Sequence, residues 1–274
     1  MIFCINKKEE EPVFHKGENG LVLKEGKHFL ENCNNVTATG KAVILETTNS
    51  NFNEISGKTV VHVFNSGSIK ILKGKATVGM FKTGIITKVE GKAKLTTVNS
   101  AEIDYLKNKS RIGTFNAGSI KFMDDKSKVI TFDSGKILYI RNSAKIGTLI
   151  NGDIFALEDN AKITTIMNGS IKHLLNKSII GTINNGSIDK VCDQSKICSL
   201  NNGNISLLMG NSKIDAQIEG TVENKSGDSK IIYAQNQANN FSVTLPIKEQ
   251  GLKSSLNQEG YNNENEELIE TSEE

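Results

Sequence analysis

The sequence predicts an all-β fold: a single-stranded β-solenoid of about 12 coils of 17 residues, with terminal caps. Three observations predict it. A glycine returns at every seventeenth position, as Gly67, Gly84, Gly118, Gly135, Gly152, Gly169, Gly186, Gly203 and Gly220, with Ala101 in the one gap. Four apolar columns keep the same period without insertion or deletion. Each unit also repeats a small residue and a Gly, Asn or Asp at fixed places between those columns.

Counting each unit from its glycine as position 1, the core columns are positions 3, 6, 12 and 15. Position 3 runs Ile69, Ile86, Ile103, Ile120, Ile137 and onward to Val222, and position 12 runs Val78, Leu95, Ile112, Val129, Ile146 and onward to Ile231. A small residue followed two places later by an apolar one reads as strand, with alternate residues facing inward. The next apolar residue comes three places on, so the chain must bend there. Position 8 is always Gly, Asn or Asp, the residues that tolerate the left-handed backbone of a tight corner. A helical pair per unit is excluded by the β-branched columns and the two corner signals in so short a repeat. At about 4.8 Å per stacked strand the predicted rod is about 55 Å long.

Composition agrees with a narrow core. Hydrophobic residues are 37% and aromatic residues 5% of the chain, and Trp is absent, which is thin for a globular domain but enough for a file of Ile, Leu and Val. Only 2 Pro occur, as continuous ladders require. The predicted organisation is an N-terminal cap over 1–32, the solenoid over 33–236, a cap strand over 237–247 and an acidic, disordered tail over 248–274. The body carries 26 Lys+Arg against 17 Asp+Glu, a balance of +9, and the tail 2 Lys against 8 Glu, a balance of −6. Cys4, Cys33, Cys192 and Cys198 form no C-x-x-C pair and read as free thiols. The short apolar start before the charges at 7–11 is too brief for a secretory signal, and no apolar run is long enough for a membrane span. The expected location is cytoplasmic, or virion-associated if a phage encodes the chain; richness in Lys, Asn and Ile fits an AT-rich genome such as that of a low-GC bacterium or its phage.

Two outer ladders are candidate interaction sites. Position 11 is basic in Lys94, Arg111, Lys128, Lys145, Lys162, Lys196, Lys213 and Lys230, interrupted by Ile179, and position 9 adds Lys75, Lys92, Lys109, Lys126 and Lys177. Stacked like charges are unfavourable for the rod itself, so a stripe of them points to a polyanion, whether nucleic acid, acidic glycan or phospholipid surface. Solvated lysines repeated by duplication would give the same pattern, and no aromatic residues interleave with this column. The second ladder is an expected exposed apolar patch of Tyr105, Phe122, Leu138, Tyr139 and Phe155, suited to self-association or ligand stacking. A Thr file at position 14 and Asn residues before the glycines (Asn151, Asn168, Asn185, Asn202) read as ladder and turn residues.

No catalytic, cofactor-binding or metal-ligating set is expected. His15, His28, His62 and His173 are scattered, there is no nucleophile elbow or phosphate-binding loop, and coils of constant length leave no loop from which to build a cleft. The architecture is similar to that of bactofilins, the filament-forming bacterial scaffolds, in its hydrophobic coils of about this length between flexible ends, though no bactofilin motif is matched residue by residue. The function expected is therefore a non-enzymatic rod that presents repeated surface ladders as a scaffold or attachment component, with a protein partner or self-association. The alternatives are a polyanion-binding module and a carbohydrate-binding or carbohydrate-active spike.

Overall fold

The structure, a computed structural model, describes residues 11–235. Among them are twenty-four strands and no helix, stacked in parallel coils as a β-solenoid of about 13 turns. Each regular coil holds two strands, one over positions 2–6 (Ser170–Leu174, for example) and one over positions 11–15 (Lys162–Ile166). Every strand pairs in parallel with its equivalent one coil away, so that Ile146 lies beside Val129 and Ile163, and Leu149 beside Phe132 and Ile166.

The predicted columns form the core. Positions 3, 6, 12 and 15 are buried from Ile69 to Ile214, with Phe64 stacked on Phe81 at 4.5 Å and Phe115 on Phe132 at 4.9 Å between ring centroids. The bend inferred from the three-residue step is visible in the ladder. Thr97 pairs with Thr114 and Leu95 with Ile112, while position 13 between them is skipped. Position 8 forms the corner after the first strand: Asn108, Asp125, Asn142, Asp159, Asn176 and Asp193 all hold φ between 58° and 60°.

The corner at position 1 takes two forms. Gly118 has φ of 115°, and a Cβ there would lie 2.0 Å from the backbone oxygen of Ala101. From Gly152 onward the glycine leaves the left-handed region, and a core side chain joins the obstruction: a Cβ on Gly152 would meet Phe132 Cε1 at 2.4 Å, and one on Gly203 would meet the Gly186 oxygen at 2.5 Å and Ile183 at 2.8 Å. The strands wrap this corner only at Gly84, Ala101 and Gly118, in Thr77–Val89, Lys94–Leu106 and Arg111–Met123; the break begins at Gly135, one coil before the glycine changes form. The Asn file begins with the second form, and its side-chain amides bond coil to coil, Asn202 to Asn185 at 3.1 Å and Asn168 to Asn151 at 3.3 Å.

The stack extends further toward the N-terminus than the constant count reaches. Val13–Lys16 pairs with Lys27–Glu31, inside the segment expected as a cap. The offset between paired residues is shortest there (Val13 to His28), grows by one in the next coil (Lys27 to Val43) and by one more beyond it (Glu46 to Val63), with a register shift between His28 and Phe29. Shorter coils close the same circuit with fewer corner residues, which is why the constant count misses them. At the other end, column 15 holds Gln217 in place of an apolar residue. It stays buried by donating Nε2–H to the carbonyl of Gly220 at 2.6 Å, and the ladder continues to Lys230–Ala234. The expected cap strand at 237–247, the acidic tail at 248–274 and the first ten residues lie outside the described residues.

Candidate functional site

The basic column runs in register along the stack, broken at Ile179. Position 11 pairs residue to residue through Lys94, Arg111, Lys128, Lys145, Lys162, Ile179, Lys196, Lys213 and Lys230, nine consecutive coils. Position 10 between the two basic columns turns inward, so positions 9 and 11 emerge on the same side. In the coils of Gly84, Ala101 and Gly118 the two columns give the pairs Lys92 and Lys94, Lys109 and Arg111, Lys126 and Lys128. A shallow groove of about 540 Å³ runs along the adjoining corner, lined by Gly91, Lys92, Asn108, Lys109, Asp125, Lys126, Asn142 and Ser143.

Among the described residues much of this line lacks counter-charge, as do Lys41, Lys58, Lys70 and Lys88 elsewhere on the stack. Other basic residues meet acids: Lys73 lies 2.8 Å from Glu54, Lys121 2.8 Å from Asp104, and Arg141 2.9 Å from Asp124. At the C-terminal end of the ladder itself, Lys196 and Lys213 share Asp215, whose carboxyl they hold below its usual range, Lys196 foremost. Lys75, Lys92, Lys94, Lys109, Arg111, Lys126, Lys128, Lys145 and Lys162 make no ion pair among the described residues. Position 13 alongside them offers Thr96, Gly113, Ile130, Gly147 and Thr164 and no carboxylate.

The aromatic residues come together, but not as an exposed patch. Tyr105, Phe122 and Tyr139 stack along the coils at 5.3 and 5.5 Å with rings 13° and 9° from parallel, and Phe155 and His173 continue the file edge-on. Leu138 and the four aromatic residues are half-buried. Ring faces that remain are covered by cations: Lys107 over Tyr105, Arg141 over Phe122 and Lys172 over Phe155, at 4.5, 4.8 and 4.9 Å. Tyr105, Phe122 and Tyr139 pack face to face from coil to coil, so the candidate patch lies along the bend as a partly exposed, self-stacked file.

Column 7, which a search for apolar columns does not detect, alternates in sign through Lys73, Glu90, Lys107, Asp124, Arg141 and Glu158. Its centre is a bidentate pair, Arg141 Nε donating to Asp124 Oδ1 at 2.9 Å and Nη2 to Oδ2 at 3.1 Å, with Asp124 buried. Glu158 ends the series beneath Leu175, and burial raises its carboxyl above the usual range, with Asp159 adding to the effect and Arg141 opposing it. A raised folded-state value means the ionised form is disfavoured in the fold, so this contribution to stability is complete at acid pH and is lost as pH rises through the folded value. Glu158→Gln is therefore expected to melt above the parent protein at neutral pH, with the difference vanishing at about pH 4, as circular-dichroism melts at the two pH values would measure.

The histidines are less scattered than their sequence positions imply. The short first coil brings His15 Nε2 to 3.2 Å from His28 Nδ1, while His15 Nδ1 lies 2.9 Å from Glu18 and His28 Nε2 2.7 Å from the carbonyl of Glu25. Among the described residues no group of three or more His, Cys, Asp or Glu is placed to hold a metal ion. Cys192 is buried, and that burial pushes its thiol up to about 11, which keeps it protonated and unreactive at neutral pH. No helix among the described residues is long and apolar enough to cross a membrane.

No family model, no curated protein and no solved structure matches the chain.

Proposed function

We propose that the chain is a non-enzymatic structural and interaction protein, a stiff solenoid that holds a long basic face against a linear acidic polymer in the manner of a scaffold or attachment component. The observation that carries this reading is the position-11 ladder: basic residues in register over many coils, doubled by position 9 in three of them and without an ion pair from Lys94 to Lys162 among the described residues. Exposed like charges about 4.8 Å apart repel one another, and an approaching polyanion removes that repulsion while releasing its own condensed counterions. Each contact is weak alone, and contacts repeated on one rigid support add through high effective concentration. The aromatic rings of the candidate patch stack on one another, which favours this reading over the carbohydrate spike.

Fluorescence anisotropy with labelled duplex DNA and with a sulfated glycan, each titrated with salt, tests the reading. Binding at low ionic strength that weakens steeply with added salt is the expected result. Absence of binding to both polymers at low ionic strength would sink it, and the difference between the two arms assigns the polymer class.

A further inference from the structure

Position 13 does not repeat every coil. It reads Gly79, Thr96, Gly113, Ile130, Gly147, Thr164, Gly181 and Cys198, a glycine in every second coil. Position 8 alternates in step, as Asn108, Asp125, Asn142, Asp159, Asn176 and Asp193. Each Asp accepts a hydrogen bond from the backbone N–H of the Asn one coil before it, at 3.1, 3.2 and 3.0 Å. The structural unit of this stretch is thus a pair of coils, twice the glycine period. The glycines are demanded from inside: a Cβ on Gly113, Gly147 or Gly181 would sit 2.4 Å from the backbone oxygen of Thr96, Ile130 or Thr164. On the outside the consequence is a row of protruding side chains two coils apart, about 9.6 Å, with a notch between each.

The surface around this row is unlike the rest of the stack. Positions 13, 14, 16 and 17 over the seven coils from Thr96 to Asn202 make 28 positions, of which Asp133 alone is charged, although 23% of the chain is charged. Of the four large hydrophobics exposed in the middle of the stack, Met80, Ile85, Ile130 and Met167, three stand on these columns: Met80 at position 14, Ile130 at 13 and Met167 at 16. A charge-poor surface that also carries exposed Met and Ile has the composition of a protein contact.

We propose that this face is where two copies of the chain pair side by side, the position-13 side chains of one copy seating in the position-13 notches of the other. Two features select a second copy over another partner. The spacing of ridges and notches is set by the coil rise, so an identical stack matches it coil after coil, and a two-fold axis makes the fit reciprocal. The body between residues 33 and 236 carries +9, so two copies repel across their basic columns and approach closely only where charge is missing. Position 11 runs alongside position 13 on the same strand, within the reach that lets Lys196 and Lys213 meet Asp215, so the basic columns border the paired face and position 9 lies beyond them. Pairing follows from the coil geometry and is independent of polyanion docking, and salt separates the two: added salt screens the repulsion and strengthens pairing, while it weakens polyanion binding.

Sedimentation velocity of the full chain from micromolar to near-millimolar concentration, at low and high salt, tests the proposal. The expected result is a concentration-dependent dimer favoured by salt. Ile130→Lys with Thr164→Lys, both at exposed side chains, is expected to weaken pairing at least tenfold while keeping the parent far-UV spectrum; if that double variant misfolds, Thr96→Lys alone serves. Lys94→Gln with Lys128→Gln, which removes repulsion at the border of the contact, is expected to keep or strengthen the dimer. A monomer at every concentration overturns the proposal, as does pairing that survives the position-13 lysines or is lost with the basic-column variants.

Discussion

Replacing Lys94, Arg111, Lys128, Lys145 and Lys162 together by Gln is expected to remove most of the affinity for an acidic polymer while leaving the fold unchanged or slightly firmer. With about five phosphate contacts from this column, affinity for DNA should fall about 100-fold or more between 50 and 200 mM salt, and the quintuple variant should lose much of that salt dependence, position 9 supplying the remainder. The stability side has the opposite sign. These residues form no ion pair among the described residues, so neutralising them removes repulsion between neighbours in register without stranding a carboxylate. Lys196 and Lys213 are the internal contrast. They share Asp215, so neutralising both leaves that carboxylate without its partners and is expected to lower stability modestly, an exposed pair being worth about 0–1 kcal/mol. Isothermal titration across a salt series, paired with thermal melts of both variants, measures the two effects. Equal salt slopes for the parent and the quintuple variant would show that binding does not run through this face.

The sequence exposes the coil because the coil is a local rule applied many times. Apolar side chains at positions 3, 6, 12 and 15 must meet their equivalents one coil away, and an Asn, Asp or Gly at position 8 must take the left-handed corner; both constraints are written in residue type and return at a fixed distance. Where the rule changes, the letters alone mislead. The coils of Val13–Lys16 and Lys27–Glu31 close in fewer residues than those that follow, so a search for one constant period does not find them, and the His15–His28 contact that depends on the short coil stays hidden with them. Tyr105, Phe122 and Tyr139 stand at a place in the bend where a side chain can point outward or lie along the next coil, and stacking on one another settles the matter. The alternation of Gly and larger residues at position 13 is present in the letters, but it has twice the dominant period and vanishes when each unit is compared only with its neighbour.

Gly118→Val is expected to be among the most destabilising single substitutions in the body, costing about 3–5 kcal/mol. Two penalties coincide there. Gly118 holds φ of 115°, a region a β-branched residue avoids, and its Cβ would meet backbone, the oxygen of Ala101 at 2.0 Å and the nitrogen at 2.8 Å, so no rotamer change relieves the collision. The coil of Ala101 would have to part from the coil of Gly118, opening the ladder within Lys94–Leu106 and Arg111–Met123. Because each coil touches only its neighbours, the damage should divide the stack into two units that melt separately, not weaken it evenly. Gly152 supplies the comparison. It lies outside the left-handed region, and its nearest obstruction is the ring of Phe132, a side chain that can move at the expense of its stacking on Phe115. Gly152→Ala should therefore cost less than Gly118→Ala, and Ala101→Gly, at a site that already accepts a Cβ, should cost about 1 kcal/mol or less. Differential scanning calorimetry of the four variants reads both the order and the splitting. A single sharp transition for Gly118→Val at the parent temperature would mean that the close approach of these two coils is not what the glycine period protects.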